Sequence, residues 1–202
     1  KSRTISLFGW GKYRWFESFI AIGFIWERYR EEWVADLARI IKEQGADYCV
    51  CPVFYQYGSD FYMDAIICDN GKVEVVQERI AKILVDRKVK QCRIESNRGG
   101  TMFAQIVEKR VRELGGMTSI QTKWTQSNKD TRIQINSALV KERILFKYDS
   151  PSKEYREMMT QLTSYSMMGK NKHDDVPDAL SLFVDWQMSD RANIATIIKR
   201  PF

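Results

Sequence analysis

The sequence predicts an α/β protein in which a central β-sheet has parallel neighbouring strands joined by crossover helices. Two observations support this fold class. From residue 48 onward, segments rich in aromatic and β-branched residues, bounded by Gly, Asn and Asp, are typical of strands. Other segments have apolar residues at helical spacing, which is typical of amphipathic helices. An alternation of the two produces parallel pairs, because each crossover helix returns the chain to the same end of the sheet.

The first elements are predicted between residues 33 and 89. A short apolar stretch covers residues 33–38, and two strand-like segments follow with the sequences YCVCPVFYQYG and DFYMDAIICDNG. The next element, residues 73–89, is predicted to be an amphipathic helix, because four apolar side chains recur on one face while charged side chains occupy the other. The four are Val76, Ile80, Ile83 and Leu84.

The remaining elements continue the alternation. QCRIES is a predicted strand that ends in an acidic residue, and Gly99 with Gly100 opens a helix that stops at Gly115. A strand is predicted in TSIQTKW, a helix within residues 125–150, and a short strand in RILF. Two further helices are predicted in EYREMMTQLTSY and HDDVPDALSLFVDW, with the polar loop GKNK between them.

Residues 1–30 follow no clean helical or strand period. We therefore predict an N-terminal linker or tail there and a single folded domain over residues 31–202. The chain begins without Met, which favours a piece of a longer protein. Its longest early apolar run is well short of the roughly 20 residues that span a bilayer, so no membrane partner is expected.

The composition excludes several classes of protein. Of the 202 residues, 44% are apolar and 29% are charged, which excludes a disordered chain, and the net charge of +6 is compatible with a polyanionic partner. The four cysteines have no CxxC spacing and lie far from the single histidine, His173, so no zinc site is expected. Cys49 and Cys51 alternate within one strand and are expected on the same face, as free thiols in a reducing cytoplasm.

Acidic residues at the ends of predicted elements are the candidates for chemistry. Asp36 follows the apolar stretch WVA, Glu95 ends the strand CRI, and Asp174 with Asp175 opens the last helix. Carboxylates that converge from different elements repel one another, and divalent cations with oxygen ligands relieve that repulsion. Each acid also has a simpler interpretation: a helix cap for Asp174 or Asp175, an arginine partner for Glu95, and a solvated turn for Asp36.

Five segments in a fixed order carry a resemblance to a known family. They are ADLA followed by GADYCV, FYMDAIICDNG, RIESNRGG, NKDTRI and HDDVPDALSLF. From residue 33 to residue 186 the chain resembles the C-terminal nuclease domain of the large subunit of tailed-phage DNA-packaging terminases, a member of the ribonuclease H-like superfamily. The resemblance implies a ribonuclease H-like fold, in which a central mixed β-sheet is flanked by α-helices.

The resemblance also implies roles for the acids. Asp36, Glu95 and Asp175 are expected to be the catalytic carboxylates, and together with Asp174 they are expected to bind the metal ions. The family usually has Pro or a small residue and a Gly-rich loop after its first acid, whereas bulky residues follow Asp36 here. Asp47, in the segment GADY, is therefore the alternative first acid.

Two neighbours of the last acids are further candidates for the metal site. His173 adjoins them and could act as a ligand, a proton shuttle or a phosphate contact, and Asp178 lies one turn later on the same predicted helix. The mechanism that the resemblance implies is hydrolysis of DNA phosphodiesters with two Mg2+ or Mn2+ ions, one activating water and the other stabilising the leaving oxygen. A set of oxygen ligands suits these cations.

Four basic residues near the acids are the predicted DNA contacts. They are Lys129 and Arg132 in NKDTRI, and Lys170 and Lys172 in the GKNK loop that precedes HDD. A basic loop beside a metal site binds phosphates without reading base sequence, and the chain contains no motif for base-specific recognition. The expected partner is double-stranded DNA.

Further partners are implied by the family. Terminases carry an ATPase motor, but this chain has no GxxxxGK[ST] segment, so the ATPase domain is expected upstream in the same parent chain. The small terminase subunit and the portal are the other expected partners, in the cytoplasm of the host. Two alternatives stay open: another ribonuclease H-like nuclease of the resolvase or transposase type, and a non-catalytic DNA-binding or motor-docking module.

Overall fold

The structure of the protein is a computed structural model. It describes residues 14–16, 33–37 and 48–197, except positions 149, 151, 170 and 172, and for residues 14–16, 33–37, 98 and 190–197 it describes the backbone only. Within these residues, seven strands form one sheet. In chain order they are β1 (Arg14–Phe16), β2 (Trp33–Leu37), β3 (Cys49–Tyr57), β4 (Asp60–Asp69), β5 (Gln91–Glu95), β6 (Ser119–Lys123) and β7 (Ile144–Lys147).

Five α-helices lie within the same described ranges. They are α1 (Val73–Asp86), α2 (Gly100–Glu113), α3 (Lys129–Arg143), α4 (Lys153–Ser164) and α5 (Asp175–Ile197). All five helices predicted from the sequence are present. The first of them ends at residue 86 instead of residue 89, because Lys88 has a positive φ of 50° and turns the chain. Across the described part of the chain, no helix combines the length and the apolar character needed to cross a membrane.

The sheet is mixed, with the strand order β1-β7-β4-β3-β2-β5-β6. Strands β2, β3 and β4 form an antiparallel meander, and β5 and β6 continue the sheet parallel to β2. The predicted crossover is found where α2 joins β5 to its parallel neighbour β6. On the other side, β7 pairs parallel with β4, and β1 pairs parallel with β7. These three residues of β1 belong to the segment predicted as a linker or tail, and its other residues lie outside the described ranges.

Helices α1 and α2 cover one face of the sheet. Cys51 is buried in the apolar cluster on this face and Cys49 packs against it, so the predicted shared face of the two thiols is confirmed. All four cysteines are free. Burial raises the pKa of the Cys49 thiol to about 12, and burial also raises the pKa of Cys68. The Cys49 and Cys68 thiols are therefore protonated and unreactive at neutral pH.

Helices α3, α4 and α5 cover the opposite face. Here Phe183 of α5 stacks on Phe54 of β3 with a centroid distance of 4.0 Å, and meets Phe61 of β4 edge to face at 4.7 Å. All three rings are buried, and burial of one such side chain stabilises a fold by about 1.5–3 kcal/mol. This aromatic cluster holds α5 against the middle of the sheet and so determines where the first turn of α5 lies.

Two glycines shape the turn between β5 and α2. Gly99 has a φ of +91°, in the left-handed region that favours glycine, and directly precedes the helix. At Gly100, a Cβ atom would lie 1.8 Å from the backbone oxygen of Glu95. The first turn of α2 therefore contacts the end of β5 so closely that only a hydrogen atom fits between them.

Replacing Gly100 by Ala tests this close contact. Helix propensity alone would make Gly100→Ala stabilising by about 1 kcal/mol, because the residue has helical dihedral angles. The clash with backbone outweighs this term, and we expect the free energy of unfolding to fall by about 1–3 kcal/mol. Urea denaturation checks the sign, with Thr101→Ala, an exposed substitution in the same helix, as the control. A Gly100→Ala variant more stable than wild type would contradict the structure of this turn.

Candidate active site

One edge of the sheet collects the ends of three strands. Because β2 and β5 run parallel, their carboxyl ends lie side by side, and the antiparallel β3 begins next to the end of β2. Glu95 is the last residue of β5. Asp36 lies on β2 in register with Arg93, two residues before Glu95 along the neighbouring strand. The backbone register thus brings positions 36 and 95 to the same edge.

Glu95 faces the side of the sheet that carries α5. Its neighbours in β5, Cys92 and Ile94, are buried against α1 and α2, so strand alternation puts Glu95 on the other face. The register partner of Glu95 in β6 is Lys123, whose ammonium lies 5.8 Å from the ring centroid of Trp186 in α5. Glu95 is 8% exposed, so it is buried at the end of β5 and is not a solvated surface residue.

The two candidates for the first acid are described to different degrees. Asp36 lies, as predicted, on a strand, and that strand is an inner one that pairs with both β3 and β5. Its side chain is not among those the structure describes, and Asp47 lies outside the described residues altogether. The choice of Asp36 over Asp47 stays a prediction.

The first turn of α5 brings Asp175 to the same edge. Its carboxylate is 1% exposed, and its Oδ2 accepts a hydrogen bond of 3.0 Å from the backbone N–H of Tyr48. Tyr48 immediately precedes β3, so this bond ties α5 to the strand ends. His173 lies beside the pair, with its ring edge to face against Tyr48 at a centroid distance of 5.1 Å.

Lys129 lies among the carboxylates of α5. Its ammonium donates to Asp174 and lies 3.4 Å from Asp175 Oδ1 and 4.0 Å from Asp178 Oδ2. Asn128 positions the lysine, because its side chain accepts hydrogen bonds from the backbone N–H groups of the first turn of α3 and so begins the helix there. The residue predicted to contact DNA thus lies within the acidic cluster, where it offsets negative charge.

Arg132 is buried and links α3 to the first turn of α5. Its guanidinium binds Asp178, with Nε 3.0 Å from Oδ1, and the two side chains are 6% and 3% exposed. The other end donates to the carbonyl and hydroxyl of Ser127 at 3.1 and 3.0 Å. Arg132 was predicted to contact DNA, but its side chain is buried between α3, α5 and the loop before α3. Lys170 and Lys172, the other predicted contacts, lie outside the described residues.

Two contributors to the site were not predicted from the sequence. The backbone N–H of Tyr48 has no signature in a sequence, because every residue except proline has one. Asn97 was also missed: its side chain donates a hydrogen bond of 2.9 Å to Glu95 Oε1. The sequence did contain a signal for this contact. Asn97 follows the strand-terminal Glu95 by two residues, and a buried carboxylate needs hydrogen-bond donors nearby.

The carboxylates give this edge of the sheet a set of oxygen donors. Asp174, Asp175 and Asp178 share one ammonium, and Glu95 ends β5 at the same edge of the sheet. Among the described side chains, no group of three or more His, Cys, Asp or Glu residues is arranged to hold a metal ion. Oxygen donors of this kind suit Mg2+ or Mn2+, and the acid on β2 is the component whose side chain is not described.

Burial and the nearby carboxylates affect the pKa of a neighbouring tyrosine, Tyr165. Burial raises the pKa of the Tyr165 phenol to about 12, and the charges of Asp130, Asp174 and Asp178 act in the same direction. Tyr165 directly follows α4, is 4% exposed and lies against the start of α3 and α5. The Tyr165 phenol is therefore neutral at neutral pH and ionises only as the pH approaches 12.

The strand order and the acids define a class of fold. The ribonuclease H-like arrangement consists of an antiparallel meander, here β2 to β4, and two further strands, here β5 and β6, that run parallel to the first strand of the meander. The acids of this chain lie on β2, β5 and α5. The family model of the ribonuclease H-like domain of the bacteriophage T7 terminase matches residues 42–144. The chain belongs to this family. The match includes Glu95 and Lys129 and excludes Asp36 and the start of α5.

Several solved structures are similar to the chain in three dimensions at low sequence identity. The nuclease domain of human cytomegalovirus terminase, soaked with Mn and bound to an inhibitor, is 12% identical, with a TM-score of 0.54 over 77% of this chain and 82% of that one. The nuclease domain of the large terminase subunit of bacterial virus Sf6 is 10% identical, with a TM-score of 0.49 over 77% and 90%. The Holliday junction resolvase of fowlpox virus is also 10% identical, with a TM-score of 0.49 over 78% of this chain and 99% of that one. Among curated proteins, none matches the chain by sequence.

Replacing Asp178 tests the buried ion pair. Asp178→Asn leaves the buried guanidinium of Arg132 without its charged acceptor, and loss of one partner from such a pair typically lowers stability by about 3–5 kcal/mol. Urea denaturation at pH 7 measures the change. Asp185→Asn, an exposed substitution in the same helix, is the control and is expected to stay within about 0.5 kcal/mol of wild type. Equal losses in the two variants would show that the pair contributes nothing specific.

The raised pKa of Tyr165 predicts a pH dependence of stability. The folded pKa of about 12 exceeds the ordinary value of 10.0, so between these pH values the unfolded chain releases a proton that the folded chain retains. The contribution of this group is complete below pH 10 and is lost as the pH rises toward 12. Wild type is therefore expected to lose stability relative to Tyr165→Phe over this window, measured as denaturation midpoints at pH 9, 10 and 11. A constant difference between the two proteins would contradict the shift.

Proposed function

We propose that this chain is the metal-dependent endonuclease domain of a viral DNA-packaging terminase and cleaves concatemeric double-stranded DNA by two-metal phosphodiester hydrolysis. The observation that carries the proposal is the convergence of Glu95 from β5 and Asp175 from α5 on one sheet edge, beside position 36 of β2. Membership of the T7 terminase ribonuclease H-like family supports the reaction class. A likeness in fold to a cytomegalovirus terminase nuclease domain that was soaked with Mn supports the choice of cation.

The residues that would hold two Mg2+ or Mn2+ ions are Asp36, Glu95 and Asp175, with Asp174 beside them. The ions would supply an activated water and stabilisation of the leaving oxygen. The donors fit, because the buried carboxylates of Glu95 and Asp175 are costly to desolvate without cations. Asp47 takes the place of Asp36 if the first acid is the later one, and His173 and Asp178 are candidates at the periphery.

The chain's own residues orient and balance these acids. The backbone N–H of Tyr48 fixes one oxygen of Asp175, so the side chain cannot rotate away from the sheet edge. Lys129 offsets the negative charge of Asp174 and Asp175, which lie on either side of its ammonium group. Arg132 holds Asp178 and so keeps the first turn of α5 in place.

DNA is the proposed substrate on grounds of charge and position. The chain carries a net charge of +6, and Lys170 and Lys172 come shortly before His173 in the sequence. Lysines next to the acids would contact the phosphates on either side of the cleaved bond and contribute affinity without base specificity. We propose that Lys129 reaches a phosphate only by leaving the carboxylates, whereas Arg132 supports the site from within.

The proposed setting is the packaging machinery in the host cytoplasm. There, residues 31–202 would act as the nuclease domain, residues 1–30 as the linker or tail, and an ATPase domain upstream in the parent chain as the motor. The small subunit and the portal are the proposed assembly partners. These proposals rest on the family alone.

Cleavage of supercoiled plasmid by the purified chain tests the function. We expect nicked and linear products with Mn2+ or Mg2+ and none with EDTA. Glu95→Gln and Asp175→Asn are expected to lower the rate at least about 100-fold, since loss of even an outer partner of a metal ligand costs 10–100-fold. Asp185→Asn is the matched control, because it makes the same chemical change on an exposed position of α5.

The same assay separates the competing functions. Cleavage that needs no metal, or that survives both substitutions, would overturn the proposed site. Binding of duplex DNA that is equal with Mn2+ and with EDTA, together with no cleavage, would favour a non-catalytic docking module. A strong preference for a four-way junction over plasmid would favour a resolvase.

The first acid is identified by a paired substitution. Asp36→Asn and Asp47→Asn are each assayed for metal-dependent cleavage, and we expect Asp36→Asn to abolish it while Asp47→Asn retains most of it. The reason is that Asp36 lies on the inner strand β2 in register with Arg93, two residues before Glu95 on the neighbouring strand. The reverse result would assign the role to Asp47.

A further inference from the structure

The Asn97 amide makes three hydrogen bonds that join two parts of the site. Its Nδ2 donates to Glu95 Oε1 at 2.9 Å and to the carbonyl oxygen of Thr125 at 2.8 Å. Its Oδ1 accepts from the backbone N–H of Thr125 at 3.3 Å. Both protons and the oxygen of one amide are therefore used, on one side by a carboxylate and on the other by the chain that leaves β6.

This pattern permits only one orientation of the Asn97 amide. If the amide were flipped, its oxygen would face both the Glu95 carboxylate and the Thr125 carbonyl, two acceptors, and its nitrogen would face the Thr125 N–H, a donor. The amide plane is thus determined by its partners. Because Thr125 holds the amide through the backbone, the proton offered to Glu95 has a fixed position.

We propose that Asn97 is a positioning residue that holds the Glu95 carboxylate in the orientation needed for metal binding. The inference rests on the nuclease function proposed above and deepens it. A hydrogen bond from a fixed donor to a charged acceptor restricts rotation of the carboxylate, and side chains that orient metal ligands in this way typically contribute 10–100-fold in metal affinity. Asn97 itself touches no substrate in this role.

The loop beyond Thr125 extends this support to α5. Ser127, two residues later, accepts two hydrogen bonds from Arg132, whose guanidinium also binds Asp178. Residues 125–127 are therefore held at one end by the neighbour of Glu95 and at the other by a partner of an α5 acid. The carboxylates of β5 and α5 are supported through a common segment of backbone.

Asn171 offers a matched control for Asn97. Its side chain makes the same two-bond contact with a backbone peptide group: Nδ2 donates to the Ser166 carbonyl at 2.7 Å and Oδ1 accepts from the Ser166 N–H at 2.8 Å. Asn171 is thus an asparagine that closes a loop near α5, as Asn97 does near β5. What distinguishes Asn97 is the additional hydrogen bond to the acid.

The test compares the Mn2+ dependence of wild type, Asn97→Ala and Asn171→Ala at saturating DNA. We expect Asn97→Ala to raise the half-saturating Mn2+ concentration for plasmid cleavage about 10–100-fold, while the rate at saturating Mn2+ stays within a few-fold of wild type. We expect Asn171→Ala to leave the half-saturating concentration unchanged. Direct Mn2+ binding, measured by electron paramagnetic resonance of the free ion, is expected to shift in parallel.

The outcomes distinguish this inference from the function on which it rests. Wild type that neither cuts nor binds Mn2+ would refute the proposed function. Wild type that cuts, with an Asn97→Ala variant of unchanged half-saturation, would overturn the role of Asn97 alone, as would an equal shift in Asn171→Ala. If Asn97→Ala is unfolded at the assay temperature, Asn97→Ser replaces it, since a single hydroxyl cannot supply both protons, and the same criteria apply.

Discussion

The constraint on which the site depends is the burial of several carboxylates at one edge of a sheet. Each buried charge needs compensation, because desolvation favours the neutral acid. The protein compensates each acid in a different way: a backbone N–H for Asp175, an ammonium for Asp174, a guanidinium for Asp178 and an amide for Glu95. These donors come from three separate parts of the chain, residue 48, residue 97 and helix α3, so the acids converge only when the whole domain is folded.

The topology of the sheet makes this convergence possible. Parallel β2 and β5 end at the same edge, and the antiparallel β3 begins there, so a helix packed across these strands can reach all three ends with its first turn. The aromatic contact between Phe183 and Phe54 sets the position of that helix. Apolar packing, which has no direct part in chemistry, thereby determines how far the acid on α5 lies from the acid on β5.

Much of the fold could be predicted from the sequence, and the limits have physical causes. The helices and the strands β3 to β7 follow from periodicity and turn residues, and Glu95 and Asp175 stand out because they end or begin an element. Lys129 and Arg132 were interpreted as DNA contacts, because the sequence does not distinguish a solvated basic residue from one that is paired with a buried acid. Only the packing of α3 on α5 reveals the pairing. Strand β1 could not be predicted, since its three residues pair with β7, which lies about 130 residues later in the sequence.

The two attachments of residues 125–127 also constrain how the sequence can vary. A connection held at both ends has a required length, so an inserted residue there would displace either Thr125 from Asn97 or Ser127 from Arg132. The Ser166 to Asn171 loop, which is closed by one side chain at its base, has no such second attachment among its described contacts. During evolution, insertions should therefore accumulate in the loop from Ser166 to Asn171 and be eliminated from residues 125–127.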